Sequence, residues 1–195
     1  MRTSFLDPSG RRSAGAGLAL GASVILGCAG STTPVALATD GGPAVPSAAQ
    51  VVVNATDFDC ILRWEKVRGF RMKRIGGGAL SESLAVANSA EGGTYPPGTV
   101  LQLVPTEAMV KREPGFSPAT KDWEFFFLEA TKSRTSISAR GTTDVKNGFG
   151  GNCFDCHNKA EPKWDLVCES THGCAPLPIG AATIQNIQNA DPRCP

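Results

Sequence analysis

The sequence predicts an α+β domain, mainly an antiparallel β-sheet with a few short helices. Three observations point there. Lys121 to Ala130 alternates strictly, with Trp123, Phe125 and Phe127 on one face and Glu124, Phe126 and Leu128 on the other. Other short apolar-alternating runs are separated by Gly- and Pro-containing turns, in a chain with 22 Gly and 14 Pro. Few stretches carry helical spacing, and strands joined by short connections favour antiparallel pairing.

Taken in order, residues 1–27 read as a secretory signal peptide. Arg2, Arg11 and Arg12 form a basic start, and Ala16 to Leu26 is apolar but too short for a bilayer span, which takes about twenty residues. The segment ends Ile25-Leu26-Gly27-Cys28, which resembles a bacterial lipobox with Cys28 as the lipidated residue. Residues 28–56 are rich in Ala, Gly, Ser, Thr and Pro and read as a flexible lipoprotein tether. The expected location is the periplasmic face of a bacterial membrane, the outer membrane being favoured because Ala29 rather than an aspartate follows Cys28. The folded domain is then 57–195.

Asp57 to Arg68 has Phe58, Ile61, Leu62 and Val67 at helical spacing, with Asp57 as N-cap, and predicts a short helix. Gly76-Gly77-Gly78 breaks the chain. Ser83 to Asn88, Thr99 to Val104 and Ala108 to Arg112 read as strands, with Tyr95-Pro96-Pro97-Gly98 as the turn before the second. Arg134 to Gly141 is placed to pair with the aromatic strand, and Gly148-Phe149-Gly150-Gly151 leads on from it.

The next residues, Cys153-Phe154-Asp155-Cys156-His157, form C-x-x-C-H, the attachment signature of a c-type haem. Two thiols three apart on a turn can each bond one vinyl group, and the adjacent His157 supplies the proximal iron ligand. The motif occurs once, so one haem c is expected. The competing readings are a Cys153–Cys156 disulfide or a zinc site completed by Cys168 or Cys174, and an oxidising compartment disfavours zinc thiolates. A redox-active pair would need a β-α-β setting that the pattern lacks.

Seven cysteines are present. With Cys28 assigned to lipid and Cys153 and Cys156 to haem, Cys60, Cys168, Cys174 and Cys194 remain as an even set for two disulfides. Three connectivities are open. One closes a short loop between Cys168 and Cys174 and ties Cys60 to Cys194.

No methionine follows Met109, so the sixth iron ligand is not evident. Met72, Met109 and His172 are the candidates, and an open iron that binds small molecules is the leading expectation. Trp123, Phe125 and Phe127 are candidates for packing on the haem, although aromatics favour strands in any case. Glu107, Glu113, Glu124 and Lys111 are candidate proton-handling groups. Nineteen basic and eighteen acidic side chains show no basic excess, so no nucleic-acid partner is expected.

Tyr95-Pro96-Pro97-Gly98-Thr99, Met109-Val110-Lys111-Arg112, Gly115-Phe116, Asp122-Trp123-Glu124-Phe125 and the later C-x-x-C-H together resemble the cytochrome P-460 family, over roughly Trp64 to Val167. The tail from Cys168 to Pro195 falls outside the resemblance and looks like an addition. The resemblance implies a high-spin haem on an antiparallel sheet, and either hydroxylamine oxidation or binding of nitric oxide or carbon monoxide. It also implies a lysine cross-linked to the haem edge in the oxidising members, for which Lys66, Lys73 and Lys111 are candidates. Leu101-Gln102-Leu103 stands where many relatives carry a charged Val-Lys-Glu. The expected partners are a small nitrogen-oxide ligand or substrate, a redox partner protein, and the membrane through a lipid anchor only, with a homodimer as the candidate assembly. A gas-binding protein without turnover and a tethered electron carrier are the alternatives.

Overall fold

The structure is a computed structural model and describes residues 50–195. The signal segment, Cys28 and the tether as far as residue 49 lie outside the described residues. Six strands form one antiparallel sheet in sequence order: β1 Glu65–Val67, β2 Phe70–Arg74, β3 Thr99–Val104, β4 Glu107–Lys111, β5 Trp123–Ala130 and β6 Thr135–Gly141. Helix α1 (Leu80–Ala87) lies in the β2–β3 connection. Helix α2 (Cys153–His157) and helix α3 (Ala181–Asn189) follow the sheet. Among the described residues no helix is long and apolar enough to cross a membrane.

Register decides what each face of the sheet presents. Met72 lies opposite Leu101, Leu101 opposite Met109, and Met109 opposite Phe125, so one apolar row crosses four strands. All four side chains are buried, and each contributes roughly 1.5–3 kcal/mol by leaving water. Trp123, Tyr95, Cys153, Leu166 and Val167 join them in one core, against which Leu80 and Leu84 of α1 pack. The alternate positions, Val100, Ala108, Val110, Phe126 and Leu128, face a second core. Period-two alternation on β5 therefore serves both faces of a sheet covered on both sides.

The strands expected at 99–104, 108–112, 121–130 and 134–141 are present within a residue or two. The helix expected from Asp57 to Arg68 is not. That stretch holds short 3₁₀ turns at Ala55–Asp57 and Ile61–Arg63 and then β1. Asp57 accepts the Asn54 N–H at 2.7 Å across the first turn rather than capping a helix. Val67 pairs with Phe70 across a tight turn in which Arg68 is left-handed (φ 48°).

Ser83 to Asn88, expected as a strand, is helical. Leu80, Leu84 and Ala87 fall on one face of α1 at spacings of four and three, and that face packs on the first core. The folded region also begins before Asp57. Val51 and Val53, assigned to the tether, are buried in the second core.

The tail is integral rather than added. Two disulfides are present, Cys60–Cys194 and Cys168–Cys174. Gln188 of α3 is buried and donates to the carbonyls of Gly69 and Leu103 at 2.9 and 2.8 Å. Asp191 accepts the Ile61 N–H at 2.9 Å, and Arg193 reaches the Phe58 carbonyl at 2.8 Å. Residues 58–61 and 191–194 meet there.

Candidate functional site

Helix α2 is placed by the loop before it. Lys146 pairs with Asn152 as an isolated bridge, and the Asn147 side chain accepts the N–H groups of Phe149 and Gly151 at 3.0 and 2.9 Å. Asn152 is the N-cap, its side-chain oxygen accepting from Asp155 N–H at 3.1 Å. The Cys153 N–H donates to Val145 at 2.9 Å, which draws the start of α2 against the sheet. Residues three apart on a helical turn share a side. Cys153 is nevertheless buried in the first core, and Cys156 is exposed at the surface.

These are the two unpaired cysteines among the described residues. The zinc alternative loses two of its donors, because Cys168 and Cys174 are bonded to each other. Burial, with the charge of nearby Glu107 as a smaller contribution, pushes the Cys153 thiol up to about 11.

His157 is half-buried, and its Nδ1 lies 2.7 Å from the Leu166 carbonyl oxygen. A carbonyl only accepts, so Nδ1 carries the proton and Nε2 keeps its lone pair. Nε2 has no hydrogen-bond partner among the described residues. Burial lowers the ring's pKa, which favours the neutral form that ligates metals. This is the usual arrangement of a ligating histidine, whose second nitrogen is tied to a carbonyl. The Phe125 ring lies 5.2 Å from the His157 ring, and Met109 sits directly across the strand pair from Phe125. The α2 region thus presents an oriented imidazole over an apolar floor with two unpaired thiols beside it, Cys153 buried and Cys156 exposed.

The other candidates separate by face. Lys111 lies on the same face as Phe125, whereas Lys66 and Lys73 alternate with Met72 and lie on the opposite one. Lys66 bonds Gln185 at 2.8 Å, and Lys73 bonds Asp59 at 2.8 Å while covering the Trp64 ring. Neither reaches the side that holds α2. Lys111 is buried and donates to both Asp165 carboxylate oxygens at 2.9 and 2.7 Å and to the Lys121 carbonyl at 2.6 Å. Burial pulls its amine below the ordinary lysine value, and the Asp165 carboxylate opposes that shift.

Trp123 is fully buried, edge-on to Tyr95 at 5.6 Å, with its indole N–H on the Asp165 carbonyl at 2.6 Å. Phe127 is partly exposed against the same core. Met72 is fully buried within it. His172 stacks on Trp164 at 3.9 Å and has its Nδ1 2.7 Å from the Val167 carbonyl, so it belongs to the tail's own packing.

Among the carboxylates, Glu124 lies on the far face between Arg112 and Arg140, and Glu113 accepts the Val51 N–H at 3.2 Å. Glu107 alone of the three lies on the α2 side, opposite Phe127, accepting Gly148 N–H at 2.8 Å. Burial raises its carboxyl above the ordinary value, partly offset by the Gly148 N–H.

Sequence reasoning missed Asp165 and the Leu166 carbonyl, since a backbone acceptor has no residue signature. Asn152 was findable as a capping residue just before the motif. No family model, curated protein or solved structure matches the chain.

Proposed function

We propose that the chain is an exported mono-haem c-type cytochrome of the cytochrome P-460 kind. Cys153 and Cys156 hold the haem through thioether bonds, and His157 is the proximal ligand. The observation that carries this reading is the His157 geometry: Nδ1 is fixed on Leu166, Nε2 is left for a metal, and the two unpaired cysteines lie beside it on α2, Cys156 adjacent and Cys153 one helical turn back. The two disulfides fit an oxidising compartment, and the lipobox at Cys28 fits a periplasmic anchor. When bound, the haem supplies a redox-active iron with a coordination position for hydroxylamine or nitric oxide.

The chain's own groups then divide the remaining work. Phe125 and Met109 keep water from the His157 side of the site. Glu107, with its raised pKa, is the group able to hold a proton near Cys153.

Ligand binding without turnover is a second reading, and the lysines favour it. Lys66 and Lys73 lie on the wrong face for a haem cross-link, and Lys111 is held by three acceptors. The test is a haem stain of the exported protein on a denaturing gel, with an optical spectrum. The wild type should stain and Cys153→Ala/Cys156→Ala should not. An unstained wild type would overturn the proposal. An ordinary c-type ferrous spectrum with carbon monoxide uptake and no hydroxylamine turnover selects the binding reading. A strongly red-shifted ferrous band selects the cross-linked oxidase.

A further inference from the structure

Asp165 and Leu166 are consecutive non-glycine residues in the left-handed region, with φ of 50° and 63°. L residues avoid that conformation unless their surroundings enforce it, and such strain gathers where geometry is needed. The surroundings here are unusually complete. The Asp165 carboxylate takes the Lys111 ammonium through both oxygens and the Tyr95 N–H at 2.9 Å. Its backbone carbonyl takes the Trp123 indole N–H at 2.6 Å. Both residues are buried. The very next carbonyl, that of Leu166, is the one that fixes His157.

We infer that Lys111 and Asp165 are positioning residues of the proximal histidine: their ion pair, with Trp123, clamps the left-handed Asp165–Leu166 segment so that its carbonyl meets Nδ1. The inference rests on the haem reading proposed above. A carbonyl that accepts from Nδ1–H raises the basicity of Nε2, which favours ferric over ferrous iron. The clamp would therefore tune the haem potential and the strength of the iron–histidine bond by way of the Leu166 carbonyl and His157. It also gives the buried Lys111 amine a role other than cross-linking. A role confined to the fold would leave both properties unchanged.

The test uses the full exported protein. Lys111→Met/Asp165→Asn leaves no unpaired buried charge and keeps an oxygen for the Tyr95 N–H. Trp123→Phe keeps an aromatic side chain on β5 and removes the donor to Asp165 together with the indole's second ring. Both variants should retain covalent haem, because Cys153 and Cys156 are intact. The double variant should lower the iron–histidine stretching frequency in resonance Raman spectra. It should also lose about tenfold of ferric preference, an upward potential shift of about 59 mV for one electron. Trp123→Phe should move both in the same direction by less. Haem present with both properties unchanged in Trp123→Phe and in the double variant would overturn the inference and leave the haem reading standing. A wild type without haem would overturn both. If the double variant fails to fold, Trp123→Phe decides alone.

Discussion

At the scale of single residues, Glu107 separates from its chemically identical neighbours by environment. Glu124 is balanced by two arginines, whereas Glu107 has one backbone N–H and a mostly apolar setting. Its carboxyl is raised, so the folded state holds that proton more tightly than the unfolded chain does. Ionisation then opposes folding: stability is full below the ordinary value of 4.5 and falls as pH rises through the raised native value. Glu107→Gln should flatten the dependence of thermal midpoint on pH over that window, while the wild type declines. Equal slopes in the two proteins would show that Glu107 does not titrate there. The C-x-x-C-H pattern stands out in the sequence because it is written in side chains, and the structure adds the setting of His157. Glu107 was one name among four: its face separates it from Glu113 and Glu124, and the Asp165 ion pair sets Lys111 apart.

At the scale of elements, the turn before β3 joins three strands. Gly98 donates to the Lys111 carbonyl at 2.8 Å and accepts the Ile75 N–H at 2.9 Å. It is left-handed (φ 87°), and an added Cβ would meet the Ile75 carbonyl oxygen at 2.2 Å. Gly115 has nearly the same φ (88°) with open space around its Cβ position. Gly115→Ala should therefore cost only the conformational strain, about 1–3 kcal/mol. Gly98→Ala should cost distinctly more, with about 2–4 °C of melting temperature lost per kcal/mol. Similar melting points for the two variants would refute the clash.

The strands from Thr99 to Gly141 were readable because alternation and turn residues agree there. Ser83 to Asn88 misled because Leu84 and Val86 alternate with Ser83, Ala85 and Ala87, on a helix whose real signal is Leu80, Leu84 and Ala87. β1 was lost to a helical reading of Phe58, Ile61, Leu62 and Val67, of which Phe58 and Val67 belong to different cores. Helix α3 left little trace, since its buried face includes Gln188, satisfied by two backbone carbonyls rather than by apolar contact.

At the scale of the whole molecule, the Cys60–Cys194 bridge joins residues 134 apart and sits beside the Asp191 and Arg193 contacts. Cys60→Ala/Cys194→Ala should lose about 2–4 kcal/mol in denaturant unfolding; an unchanged midpoint would mean that the polar contacts alone hold the ends. The second bridge bears on how the molecule is made. Cys168 lies 3.2 Å from the carbonyl of Cys156, so the Cys168–Cys174 bridge sits beside the short helix that carries Cys153 and Cys156. Thiol exchange among neighbours is a kinetic contest, decided by access and by which thiolate forms first. Exposed Cys156 is a ready competitor, while Cys153 is retired by its high pKa once the sheet has closed over it. The Cys168–Cys174 bridge removes two rivals of Cys156 and leaves Cys153 and Cys156 unpaired, which is the state that the haem attachment proposed above requires. On that proposal the order of oxidation matters: a bridge from Cys156 to Cys168 or Cys174 would take a thiol that the haem needs.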